Sequence, residues 1–338
     1  MSDLALLRRP DSPTTVPGTG MDASTRAPFW WPSPLLAGVG FSMLVLGAVF
    51  LAGVLLDPRE IMGAPRWMKP AKFAVSTGIY SLTFVWLLSH LRGRPTLVRR
   101  AARITAWVFL VEVALIALQA ARGTTSHFNQ TTTLNGWITL TTGVAILVLW
   151  GASIVVGVAL LRQHFQDPAF GWSLRLGLWI TVLGAAVGIY MATPTASQME
   201  VLRTGERPAY IGAHSVGGED GGAGVPVANW STAHGDLRVS HFVGLHALQV
   251  LPLLGWLLGR SRRLRERQRV RLVGTAGASY AALTGVLFWQ ALRGQPLLHP
   301  DALTWSVLAA WLALSTAAGG LALRAGPPAY RLPLDGGS

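Results

Sequence analysis

Eight uninterrupted apolar blocks constrain this chain more than any other feature. They lie at about 35–56, 71–91, 104–121, 137–160, 174–193, 240–258, 272–292 and 303–323. About 20 apolar residues are enough for a helix to cross the ~30 Å hydrocarbon core of a bilayer. Lipid offers no hydrogen-bond partners to a backbone, so a spanning segment must be a helix or part of a closed barrel. The blocks show none of the period-2 alternation of barrel strands. The expected fold is therefore all-α, a polytopic integral membrane bundle of eight transmembrane helices. Composition agrees. The chain is 51% apolar and only 13% charged, against about 25% charged in a soluble domain. That balance excludes intrinsic disorder, a fibrous repeat and a small disulfide scaffold. There is no cysteine, which excludes disulfides and any thiolate-ligated cofactor.

The blocks divide the chain. Residues 1–33 are rich in Pro, Ser, Thr and charge and are expected to form a disordered tail, with Trp30 and Trp31 as an interfacial anchor. The stretch is not expected to be a signal peptide, because the first apolar block starts too far in, is too long and ends without a small-residue cleavage site. Residues 34–323 form the expected membrane domain, with a long loop at 194–239. Residues 324–338 form a second tail.

The formal charge is +13, and 26 of the 28 cations are arginine; the lysines are Lys69 and Lys72. Arginines flanking apolar blocks read as topology determinants, so no nucleic-acid partner is expected. With the N-terminus in the cytoplasm, the inner segments hold 19 cations and the outer ones nine. Seven of the 19 fall between Arg260 and Arg271, a run that also suits anionic lipid. The bias places both termini in the cytoplasm and the chain in the cell membrane. Gly184 and Gly188 form a GxxxG pattern that reads as close helix packing. No P-loop, GxSxG or Rossmann fingerprint is present, and no pair of broken, inverted repeats suggests a secondary transporter.

An ionisable residue inside a span marks function by default. Glu112 is such a residue, and a carboxylate there needs a proton of its own or a partner across the bundle. Gln119 shares its helical face, and Arg122 ends that stripe. At 1.5 Å per residue Glu112 lies roughly 13 Å below the outer end of its helix, and His246 roughly 12 Å below the outer end of the sixth block. Gln249 follows His246 on the same face. The expected catalytic layer is therefore Glu112, His246 and Gln249.

A second polar layer lies above it. Lys69, Lys72, Arg122, Asn129, Arg238 and Gln119 are expected to bind substrate, the cations as a clamp for an anionic group. His127, His241 and His246 with Asp236 are candidate ligands for a haem or a transition metal. The spacing for a metal is poor, since His241 and His246 point about 140° apart on a regular helix. Expected partners are the lipid bilayer and a hydrophobic or anionic small molecule. Three functions fit: a membrane-embedded enzyme or redox protein, a proton-coupled transporter or channel using Glu112 and His246, or an assembly subunit docking through the long loop.

Overall fold

A computed structural model of the chain describes residues 32–324. The two expected tails and the Trp30-Trp31 anchor lie almost wholly outside the described residues. The rest is helical. Eight helices are long and apolar enough to cross a membrane: α1 (Pro34–Leu56), α2 (Met68–Leu88), α3 (Pro95–Ala121), α4 (Thr133–Leu161), α5 (Pro168–Met191), α7 (Leu237–Arg260), α8 (Glu266–Leu292) and α9 (Ala302–Arg324). The chain is a multi-pass membrane protein. A short surface helix, α6 (Ala196–Arg203), and two small antiparallel pairs, β1–β2 (Glu60–Ile61 with Ala64–Pro65) and β3–β4 (Ser215–Val216 with Gly235–Asp236), decorate one end.

Local chemistry starts several spans. Ser33, Thr132 and Asp167 accept hydrogen bonds from the backbone N–H three residues ahead, at 3.1–3.3 Å. These caps satisfy amides that have no partner inside a helix. Proline occupies the first position of α1, α3 and α5, where its missing N–H costs nothing. Three helices begin well before the apolar blocks do. α3 starts at Pro95, α5 at Pro168 and α8 at Glu266. The early turns of α3 and α8 carry arginines such as Arg99, Arg100 and Arg269, so hydropathy ends there while the helix continues toward water; the early turn of α5, residues 168–173, carries none.

The helices pack largely in chain order, with α2 between α1 and α3, and α8 touching α5, α7 and α9. The most intimate crossing is α5 on α7. A Cβ added at Gly184 would lie 2.6 Å from Gly244 Cα, so the two backbones touch. This is the close packing that the GxxxG pattern suggests. The connections alternate between two ends. One end carries the arginines between α2 and α3, α4 and α5, and α7 and α8; the other carries the long loop.

The arginine end is filled by an apolar core. Leu36, Phe84, Leu88, Ala102, Leu160 and Leu174 are each at most 1% exposed and belong to one cluster. Polar residues gather at the other end, which the core closes from below. The long connection between α5 and α7 is well tied there. Gln130 N–H donates to Ala209 O at 2.8 Å, Ile211 N–H to Phe128 O at 2.9 Å, and Ala213 N–H to Met191 O at 2.9 Å. Gln198 bonds both backbone groups of Gly212. The loop thus forms a cap with the α3–α4 connection. Its glycine-rich centre turns through Gly217, Gly221 and Gly222, all at positive φ, which glycine adopts without steric penalty.

Candidate functional site at the long-loop end

Glu112 sits on the buried face of α3, 1% exposed. Helix α3 ends at Ala121, and the following loop folds back over it; Thr124 N–H donates to Gln119 O at 3.0 Å. That return brings His127 down onto the carboxylate. His127 Nε2 lies 3.2 Å from Glu112 Oε1. The contact is off the line of a good hydrogen bond, and neither carboxylate oxygen has a partner in hydrogen-bonding geometry among the described residues. On the other side of the ring, Nδ1 stands 2.9 Å from Ser126 Oγ. A hydroxyl, an imidazole and a carboxylate therefore lie in series, hydrogen-bonded between Ser126 and His127 and only in close approach between His127 and Glu112. The ring leans on Phe73, with centroids 5.6 Å apart.

Lys69 holds its ammonium 6.0 Å from the centre of the same Phe73 ring. Its electrostatic neighbours are Arg238, Glu112, Asp220 and Lys72. It is half-buried and joins no salt bridge among the described residues. Burial and the charge of Lys69 hold the His127 imidazole below its ordinary pKa, against the upward pull of Glu112. The ring is thus biased toward its neutral form, ready to accept a proton.

The other cations of this end are engaged. Arg122 donates to Gln119 Oε1 and, at 2.8 Å, to Asn135 Oδ1. Arg238 pairs with Asp236 at 2.6 Å and bonds Asn229 O at 2.6 Å. Lys72 donates to Ala228 O at 2.8 Å. Asn129 is fully buried and holds its own loop through Thr124, Thr125 and Thr131. Gln119 bridges Thr125 O and Asn135. Of the residues expected to clamp an anion, Lys69 alone has its ammonium free of a protein partner among the described residues; the rest brace the loops.

The expected catalytic layer is not assembled as the depth argument drew it. Glu112 meets His127, and no ion pair joins it to His246 among the described residues. His246 is exposed on α7. Gln249 makes a long 3.4 Å contact with Thr83 Oγ1, and its Oε1 is buried without a partner. Depth matching between helices cannot register a loop residue that re-enters the bundle.

No family model, curated protein or solved structure matches the chain. For the haem or metal expectation, no group of three or more His, Asp or Glu side chains converges as a metal site among the described residues. His241 gives its Nδ1 to Gly184 O at 2.8 Å, and Asp236 is occupied by Arg238 and by the Ser231 N–H at 2.7 Å.

Sequence reasoning missed a second pair. His214 Nδ1 lies 2.6 Å from Asp220 Oδ2, and Asp220 also accepts from the backbone N–H groups of His214 and Ser215. The ring packs on Phe128 at 4.9 Å. A His and an Asp six apart in a glycine-rich loop have no periodicity to reveal them. Arg66 was missed too; it is 5% exposed and caps the carbonyls of Ala120 and Ala121.

Burial drives the His214 pKa down to about 4, more than the neighbouring carboxylate can restore. Burial pushes Asp220 up, but its bonds from His214 outweigh that and hold it below the carboxylate range. The pair is a neutral imidazole donating to a carboxylate. A histidine depressed on folding contributes stability above its unfolded pKa of ~6.5, and loses it as pH falls toward the folded value. Corrected for the intrinsic, base-catalysed exchange rate, the protection factors of residues 205–230 should fall between pH 6.5 and 4 in the native protein. His214→Gln should flatten that dependence. An equally steep fall of the protection factors in the variant would remove His214 as the cause.

Proposed function

We propose that the long-loop end is the active site of a membrane-embedded enzyme that moves a proton on a substrate with an apolar body and an anionic head. The supporting observation is Glu112: a buried carboxylate with no well-formed hydrogen bond, set against the His127 ring and near an unpaired ammonium. A structural carboxylate is normally fully bonded. A carboxylate kept buried and under-bonded beside a histidine is arranged for proton exchange. Lys69 supplies attraction for the anionic head, and the half-exposed aromatic and aliphatic surface of α2 suits the apolar body. The arginine bias supports the extracytoplasmic face for this end. The apolar core beneath Glu112 favours a one-sided site over a path through the membrane.

Binding of decanoate, with decanol as the uncharged control, tests this reading in nanodiscs. Decanoate is expected to bind the native protein, and Lys69→Met to weaken it by about tenfold, the loss of one partly desolvated ion pair. Glu112→Gln should retain binding but change its pH dependence. Equal binding of decanoate and decanol would refute the anionic head. Proton flux in liposomes that vanishes in Glu112→Gln would replace the enzyme with a transporter.

A further inference from the structure

Between them, α5 and α8 leave an apolar groove of about 510 Å³. Trp172, Leu176 and Leu183 of α5 face Gly274, Gly277 and Ala281 of α8 across it. A Cβ added at Gly274 would meet nothing within 4 Å, so the groove is open there. From Val270 to Ala281 the rise is about 16 Å. Half of a ~30 Å hydrocarbon core is about 15 Å. The groove therefore runs the depth of one leaflet, beginning at the arginine end.

Its mouth is cationic. Arg267 and Arg271 precede Gly274 and Ala278 on the same three-and-four-residue row of α8. Both are exposed, and neither joins a salt bridge among the described residues. The neighbouring Arg269 is paired with Asp167 at 3.2 Å, so the row's two free guanidinium groups are the ones aligned with the groove. Trp172 stands across the mouth, with Arg175 stacked on it at 5.1 Å.

We infer that this groove binds one anionic phospholipid from the surrounding bilayer, its phosphate on Arg267 and Arg271 and one acyl chain along Gly274 and Ala278. Charge at the mouth, an all-apolar channel and the one-leaflet length each fit that occupant. Guanidinium groups hold phosphate in a forked geometry, and basic sites beside spans select anionic head groups.

The test is native mass spectrometry of the full chain released from vesicles of phosphatidylglycerol and phosphatidylcholine mixed one to one. The native protein should retain phosphatidylglycerol at least about tenfold over phosphatidylcholine, the effect of two such cations. Arg267→Gln with Arg271→Gln should abolish the preference. Arg262→Gln with Arg265→Gln removes the same charge off the row and should leave it intact. Gly274→Leu and Ala278→Leu, two separate plugs, should each displace the lipid without unfolding the chain. Equal loss in both arginine pairs would mean diffuse charge and overturn the site. So would a dimer that Gly274→Leu converts to monomer, since a second copy would then fill the groove.

Discussion

Gly184→Ala is expected to lower the unfolding free energy by about 2–3 kcal/mol, although it adds one methyl group. The new Cβ would meet Gly244 at 2.6 Å from Cα and 2.7 Å from the carbonyl carbon. Backbone cannot rotate aside as a side chain can, so α5 and α7 must move apart. In a membrane, helix association depends on such close packing rather than on the hydrophobic effect. Gly143→Ala is the control. Its Cβ meets nothing within 4 Å, and replacing a helical glycine by alanine favours the helix by up to about 1 kcal/mol. The two substitutions should thus shift an SDS-unfolding midpoint in opposite directions. Equal shifts would contradict the crossing. The same crossing seats His241, which bonds Gly184 O, so Gly184→Ala should also disturb the polar end.

Glu112→Leu is expected to stabilise the fold by about 1–3 kcal/mol while removing its function. Burying a carboxylate without well-formed hydrogen bonds costs free energy that a leucine of similar volume does not incur. A group retained at such a cost marks a working site. For the proposed reaction, loss of a general acid–base group corresponds to about 10²–10⁴-fold in rate. A fall in stability of more than about 2 kcal/mol would make Glu112 a structural residue and remove the main support for the site.

Much of the fold was legible because lipid enforces it. Eight apolar blocks became eight long apolar helices, since nothing else satisfies the backbone of such segments. The starts of α3 and α8 lie outside the apolar blocks because their arginine-bearing turns are helical without being apolar. The site was legible in part. Glu112 stood out as a lone acid in a span, and it is buried in an under-bonded environment. Its partner was not legible, because His127 reaches it from a returning loop whose path depends on Gly123, Asn129 and contacts with residues 209–213. His214 and Asp220 escaped for the same reason. Arg122 and Arg238 looked like substrate clamps because sequence shows charge but not the loop oxygens that engage it.

The central claim is that Glu112, His127 and Lys69 form one electrostatic unit. It is tested most directly by titrating His127 in the ¹⁵N-histidine NMR spectrum of the full chain in nanodiscs, assigned with His127→Gln. The native imidazole should titrate below its ordinary ~6.5. Glu112→Gln should lower that value further by removing a negative neighbour, and Lys69→Met should raise it by removing a positive one. A His127 resonance that titrates at its ordinary value, and that neither variant moves, would contradict the account.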